Sequence, residues 1–162
     1  PFYHNNIAIA YKNVQQTSKA LEHYYQAIKL KPDYVDALHN IGNIFLEKSD
    51  WEQALKYYHS VIQHDPSYTK SYEQLIKIYQ TLNQPEKVIH TYQTWIKQSP
   101  QIAKLYIEMA EFLERLEQLD EALSSYYHAL TLVPENTYLL CSIATLYYKK
   151  QNSEQALWWL QA

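Results

Sequence analysis

Apolar residues in this chain fall in short blocks spaced for helix faces. In VDALHNIGNIFLE, residues 35–47, Leu38, Ile41, Gly42 and Phe45 lie at i, i+3, i+4 and i+7, one side of a helix with 3.6 residues per turn. A second block follows with the same rhythm: Ala54, Leu55, Tyr58, Val61 and Ile62. Two amphipathic segments in so few residues predict an antiparallel helix pair. SDWEQ (49–53) and NQPEK (83–87) supply N-cap candidates for the second helix, and Pro85 suits a first helical turn.

The pair recurs. Pro32, Pro66, Pro100 and Pro134 are spaced 34 residues apart, which divides the chain into repeats 1–34, 35–68, 69–102, 103–136 and a partial fifth, 137–162. Numbered from the start of each repeat, position 7 holds Ile7, Ile41, Leu75, Met109 and Ile143; position 11 holds Tyr11, Phe45, Tyr79, Leu113 and Tyr147. Position 20 holds Ala20, Ala54, Val88, Ala122 and Ala156, and position 24 holds Tyr24, Tyr58, Tyr92, Tyr126 and Leu160. Each proline removes a backbone donor and drives the residue before it out of the α region, so the second helix must stop there.

These columns resemble the tetratricopeptide repeat (TPR), with its apolar residue at 7, small residue at 8, aromatic at 11, alanine at 20, aromatic at 24 and proline at 32. Leu38, Ile41, Gly42, Phe45, Ala54, Tyr58 and Pro66 follow it closely. The resemblance implies an all-α fold, a right-handed α-solenoid of stacked antiparallel helix pairs forming a single domain over residues 1–162. Gly42, the one glycine in the chain, then becomes a packing residue inside a helix rather than part of a phosphate loop.

Composition narrows the chemistry. One glycine and six prolines leave little for connections that need positive φ, and favour helices with short, stereotyped joints. A net charge of −3 argues against nucleic acid, and no apolar run is long enough to insert in a membrane. The lone Cys141 excludes an intrachain disulfide and fits a reducing, cytoplasmic setting. The seven histidines scatter over different repeat positions without HExxH, and no nucleophile motif or phosphate loop is present. No cofactor, metal or catalytic role is expected of these residues. The 17 tyrosines are expected to serve packing rather than base stacking, with one ring of each YY doublet inside and one outside.

The resemblance also implies where binding occurs: positions 2, 5, 6, 9, 12 and 13 of each first helix line the concave groove of the family. On these columns the expected peptide-binding residues are Asn6, His39, Asn40, Asn43, Lys70, Gln74, Lys77, Lys104, Glu108 and Glu111. Position 6 reads Asn6, Asn40, Gln74 and Glu108, a short run similar to the asparagine ladder in the TPR arms of protein O-linked N-acetylglucosamine transferases. Carboxamides carry donors and an acceptor, and can pair with a peptide backbone whatever its side chains. The two-carboxylate clamp of chaperone-binding TPRs is poorly matched: starting at repeat one, Asn40 and Lys70 fit while Asn5, Ile9 and Gln74 do not.

Repeat charges run +2, −3, +2, −5 and +1, and Glu108, Glu111 and Glu114 share the groove helix of repeat four. An acidic pocket preferring a basic segment is expected there, beside Lys70, Lys77 and Lys104. The leading function is thus a scaffold that binds a partner peptide or protein segment. The alternative is the substrate-recognition arm of a larger enzyme such as a protein glycosyltransferase. A start at Pro1 and an apolar last helix, with Leu157, Trp158, Trp159 and Leu160, point to a longer parent chain or to self-association through that end.

Overall fold

The computed structural model describes residues 1–161. Among them the chain is helical throughout, with no strand. It divides into two compact units, Pro1–Val88 and the residues from Ile89 onward, the division falling inside one helix. The first unit holds α1 (Phe2–Asn13), α2 (Thr17–Leu30), α3 (Val35–Glu47), α4 (Trp51–His64), α5 (Thr69–Thr81) and the start of α6 (Pro85–Gln98). The second holds the rest of α6, then α7 (Ala103–Arg115), α8 (Leu119–Leu132), α9 (Thr137–Lys149) and α10 (Ser153–Gln161). Odd-numbered helices are the first, and even-numbered the second, of each repeat.

Both units build their core by one rule. In the first, Ala8 on α1 and Ala20, Tyr24 and Ala27 on α2 form a cluster completed by Ala37, Ile41 and Ile44 of α3. In the second, Ala110, Ala122, Tyr126 and Ala129 receive Leu139, Ile143 and Leu146 of α9. Positions 8, 20, 24 and 27 of one repeat thus take positions 3, 7 and 10 of the next. Each isoleucine or leucine buried there contributes ~1.5–3 kcal/mol. The face made by positions 3 and 10 was not among those read from periodicity, yet Ala37, Ile44, Ser71, Ile78, Leu105, Phe112, Leu139 and Leu146 are all buried.

The tyrosine doublets divide as expected: Tyr24, Tyr58 and Tyr126 are essentially inaccessible, whereas Tyr25 and Tyr148 are exposed. The proline joints also behave as expected. Lys31 and Asp65, each just before a proline, are extended and close α2 and α4. Asp50 caps α4 by accepting from the Gln53 amide, and α6 opens on Pro85.

The joint inside each pair differs from expectation. Gln15, Ser49, Asn83, Glu117 and Gln151, position 15 of every repeat, have φ between 52° and 61°, and none is glycine. The Gln16 amide donates to the Tyr11 carbonyl and the Gln15 amide to that of Lys12, both at 2.9 Å. Asp50 to Phe45, Gln84 to Tyr79, Gln118 to Leu113 and Asn152 to Tyr147 repeat the longer bond. This is a Schellman ending, which satisfies carbonyls the helix would otherwise leave bare. The left-handed residue costs on the order of 1 kcal/mol, offset by those bonds. A chain this poor in glycine therefore still uses positive φ at every such joint.

Gly42 confirms its packing role. A Cβ built there would lie 2.8 Å from Cε1 and 3.1 Å from Cδ1 of Tyr58, whose ring is fully buried. Alanine would gain about 1 kcal/mol of helix propensity but would push a ring that has nowhere to go. Gly42→Ala is expected to lower the unfolding free energy by a net ~1–2 kcal/mol in urea titration; equal or greater stability would show that the ring yields freely.

Candidate functional site

In the first unit the shared face of α1, α3 and α5 is held by side-chain bonds between repeats. Lys12 pairs with Glu47 at 2.7 Å, and Tyr68 donates to Asp36 at 3.2 Å. The Asn40 Nδ2 group makes a long contact, 3.5 Å, to Asn5 Oδ1. Tyr58 donates its phenolic hydrogen to Asn43 Oδ1 at 2.8 Å. Burial, with the nearby Glu47 charge, raises the Tyr58 pKa, so the phenol remains a donor.

These bonds fix which atoms the amides present. Asn43 has its oxygen engaged from below, leaving its NH2 group for an acceptor. Asn40 has one N–H turned to Asn5, leaving its oxygen for a donor. On one helix, three residues apart, the two carboxamides offer complementary halves of the pairing that a peptide unit makes. Asn6 is exposed and Gln74 half-buried, and Lys70 and Lys77 are exposed on α5.

His39 requires a correction. Expected to line the groove, it is only 7% exposed, and Nδ1 lies 2.9 Å from Ser71 Oγ. Its ring lies 5.4 Å from Tyr58 and 5.1 Å from Tyr68. It therefore braces α3 against α5 and presents little surface to a ligand. Asn5 is likewise buried. The missed partner, Ser71, sits at position 3, a column whose residues share neither size nor polarity and so carry no periodic signal.

In the second unit, each glutamate of the acidic triplet already has a neighbour. Lys104 lies 3.4 Å from Glu108, and Lys149 of the next repeat 2.6 Å from Glu114. Tyr138 donates to Glu111 at 2.6 Å. That bond, followed by burial, raises the Tyr138 pKa. The repeat charge of −5 overstates the acidity of this face, because Lys149 belongs to the next repeat. Glu111 is met by the Tyr138 hydroxyl and makes no ion pair among the described residues. The exposed ion pairs contribute ~0–1 kcal/mol each and serve mainly to orient side chains.

Comparison with known families agrees with this architecture. A model of the TPR repeat matches residues 10–48, and models of the tetratricopeptide repeat match 35–68 and 103–136, the bounds of repeats two and four. Together they span more than half of the chain, which belongs to the tetratricopeptide repeat family. Among solved structures, a MamA protein superposes with a TM-score of 0.69 over 99% of this chain and 87% of its own, at 16% identity. YrrB, described as a TPR protein with an unusual peptide-binding site, gives 0.64 over 98% and 81%, at 21% identity. MamA from Desulfovibrio magneticus RS-1 gives 0.63 over 98% and 90%, at 14% identity.

No curated protein matches the chain in sequence. The fold is an all-α TPR solenoid, the architecture of a protein-interaction scaffold. Among the described residues no helix is long and apolar enough to cross a membrane.

Burial, reinforced by Lys70 and Lys12 and opposed by Asp36, lowers the His39 pKa from its ordinary 6.5 to about 4. The unfolded chain therefore takes up this proton first as pH falls. The stability His39 contributes is complete above pH 6.5 and is lost as pH falls to 4, by up to roughly 2–3 kcal/mol. Urea titrations across that window should show a steeper decline for the native chain than for His39→Gln; parallel declines would remove His39 as the cause.

Proposed function

We propose that the α1–α3–α5 face of the first unit binds an extended peptide segment through its backbone, with Asn6, Asn40, Asn43 and Gln74 as the contacts. The observation that carries this reading is the opposite engagement of two neighbouring amides. Tyr58 holds the Asn43 oxygen and Asn5 takes an Asn40 hydrogen, so donor and acceptor are oriented before a ligand arrives. Preorganisation of this kind removes part of the entropic cost of binding. Lys70 and Lys77 flank Gln74 on α5 and add cationic contacts on that side.

The second unit supplies a separate preference. Glu111 is the carboxylate placed to meet a lysine or arginine of a bound segment, with Lys104 and Glu108 beside it as an already matched pair. The first unit's expected ligand is therefore a peptide bound mainly by its backbone, and the second unit's a segment carrying a basic side chain for Glu111. The likeness to YrrB, itself described as peptide-binding, favours the same class of ligand.

A peptide selected from a random display library on the intact chain provides the probe. Changing Asn6, Asn40 and Gln74 together to alanine should weaken it by about 100-fold in fluorescence anisotropy, at ~1 kcal/mol for each lost bond. Unchanged affinity would overturn the amide reading. For a lysine-rich peptide bound by the intact chain, Glu111→Gln should cost up to about fivefold at low salt and flatten the salt dependence. A variant retaining the full salt slope would remove Glu111 from the interface.

A further inference from the structure

Asn43 owes its orientation to a side chain on another helix. Tyr58, on α4, gives its phenolic hydrogen to Asn43 Oδ1 at 2.8 Å, so the hydroxyl reaches that oxygen only while the ring keeps its place. The ring is fully buried and rests against α3 at two residues one turn apart. One is Gly42, where a built Cβ would lie 2.8 Å from Cε1 of the phenol. The other is His39, whose ring centroid lies 5.4 Å from that of Tyr58 at a tilt of 51°. Asn43 follows one residue after Gly42 and four after His39, on the same stretch of helix.

The imidazole is itself pinned from the side of α5. Its Nδ1 lies 2.9 Å from Oγ of the fully buried Ser71, and its centroid is 5.1 Å from that of Tyr68. Tyr68 is held in turn by donating to Asp36 at 3.2 Å. Nothing in the column asks for a ring here: position 5 is otherwise Asn5, Glu73, Ile107 and Cys141, and Glu73 and Cys141 are exposed. His39 is thus a buried polar ring at an edge position, fixed on one side by α5 and set on the other against the phenol that orients Asn43.

We infer that His39 is a positioning residue of the amide site: by fixing where the Tyr58 phenol meets α3, it sets the orientation in which Asn43 meets a peptide. The inference rests on the peptide reading of the α1–α3–α5 face and adds a residue to it that makes no ligand contact of its own. Without the imidazole, Tyr58 gains room on that side, its hydroxyl leaves Asn43 Oδ1, and the carboxamide turns freely. A peptide must then order Asn43 on binding, and the advantage of a donor oriented beforehand is lost. Because Ser71 holds the imidazole, the seating of α5 against α3 is transmitted to an amide that α5 does not touch through any hydrogen bond of its own.

The side-chain amide signals of the 15N-labelled intact chain test the positioning without a ligand. In His39→Ala the Asn43 NH2 signals should move toward those of a freely turning carboxamide; in His39→Phe, which keeps a ring beside Tyr58, they should stay near their native place. Affinity for the peptide selected from the display library should fall about fivefold in His39→Ala, the loss of one hydrogen bond, and stay within about twofold of native in His39→Phe. His39→Ala combined with Asn43→Ala should bind no more weakly than Asn43→Ala alone, because the first acts through the second. Ser71→Ala, a smaller change in the same contact, should move the Asn43 signals in the same direction and carries the test if His39→Ala loses native helicity by circular dichroism. Unmoved Asn43 signals in these variants, or losses of affinity that simply add in the double variant, would overturn the inference and leave His39 a residue of stability alone. Signals that move while Asn43→Ala binds the peptide like the native chain would uphold the positioning and overturn the peptide contact at Asn43, which separates the two readings.

Discussion

A helix pair of this size cannot bury the apolar surface it carries. Tyr24 and Tyr126 show the constraint: each ring lies against the small residues of its own pair on one side and needs the aliphatic side chains of the next first helix on the other. The bulk at position 24 can be covered only by positions 3, 7 and 10 of a following repeat. Much else follows from that single demand. It favours a small residue at position 8 so that the pair can close, as at Ala8, Gly42, Ala110 and Ala144 though not at Ile76. It also commits one face of α3 and of α9 to the repeat before. The strip that remains on the first helices of a unit is largely polar, and it is the face on which the proposed peptide contacts lie.

The parts of the fold legible from the residues were those in which one side chain type must recur. Proline at position 32, the small residues at 8 and 20 and the aromatic at 24 each answer a requirement that few residues satisfy, so their period is visible. The residues at 3 and 10 answer a looser requirement. Ala37, Ser71, Leu105 and Leu139 differ in size and polarity yet are all buried, so no single residue type marks the column. Position 15 was hidden for a different reason. Left-handed backbone is announced by glycine, but here Gln15, Ser49, Asn83, Glu117 and Gln151 adopt it, each held by the two amide bonds that end the helix.

Legibility of the site divided in the same manner. Face assignment placed Asn6, Asn40, Asn43, Gln74 and the lysines of α5 correctly outside the core, since helical phase alone decides that. It failed at position 5, where Asn5 and His39 lie at the edge of the strip and are drawn inward. Whether an edge position faces solvent depends on its neighbour across the repeat boundary. For His39 that neighbour is Ser71, small enough to admit an imidazole and polar enough to bond it. Charge summed by repeat misled for a related reason: Lys149 meets Glu114 from a different repeat, a pairing set by stacking rather than by chain order.

The polar strip and the core are consequently one mechanical object. Tyr58 contacts Gly42 with its ring edge, lies beside the His39 ring and gives its hydroxyl hydrogen to Asn43. The absence of a side chain at Gly42 lets the ring sit deep, and the depth of the ring sets where its hydroxyl emerges among the polar residues of α3. A larger residue at position 8 would move the phenol and with it the orientation of the amide above. Selection for packing at one column thereby sets hydrogen-bond geometry at the next. In repeat two this coupling holds the Asn43 amide in place through a residue that the stack already requires to be buried.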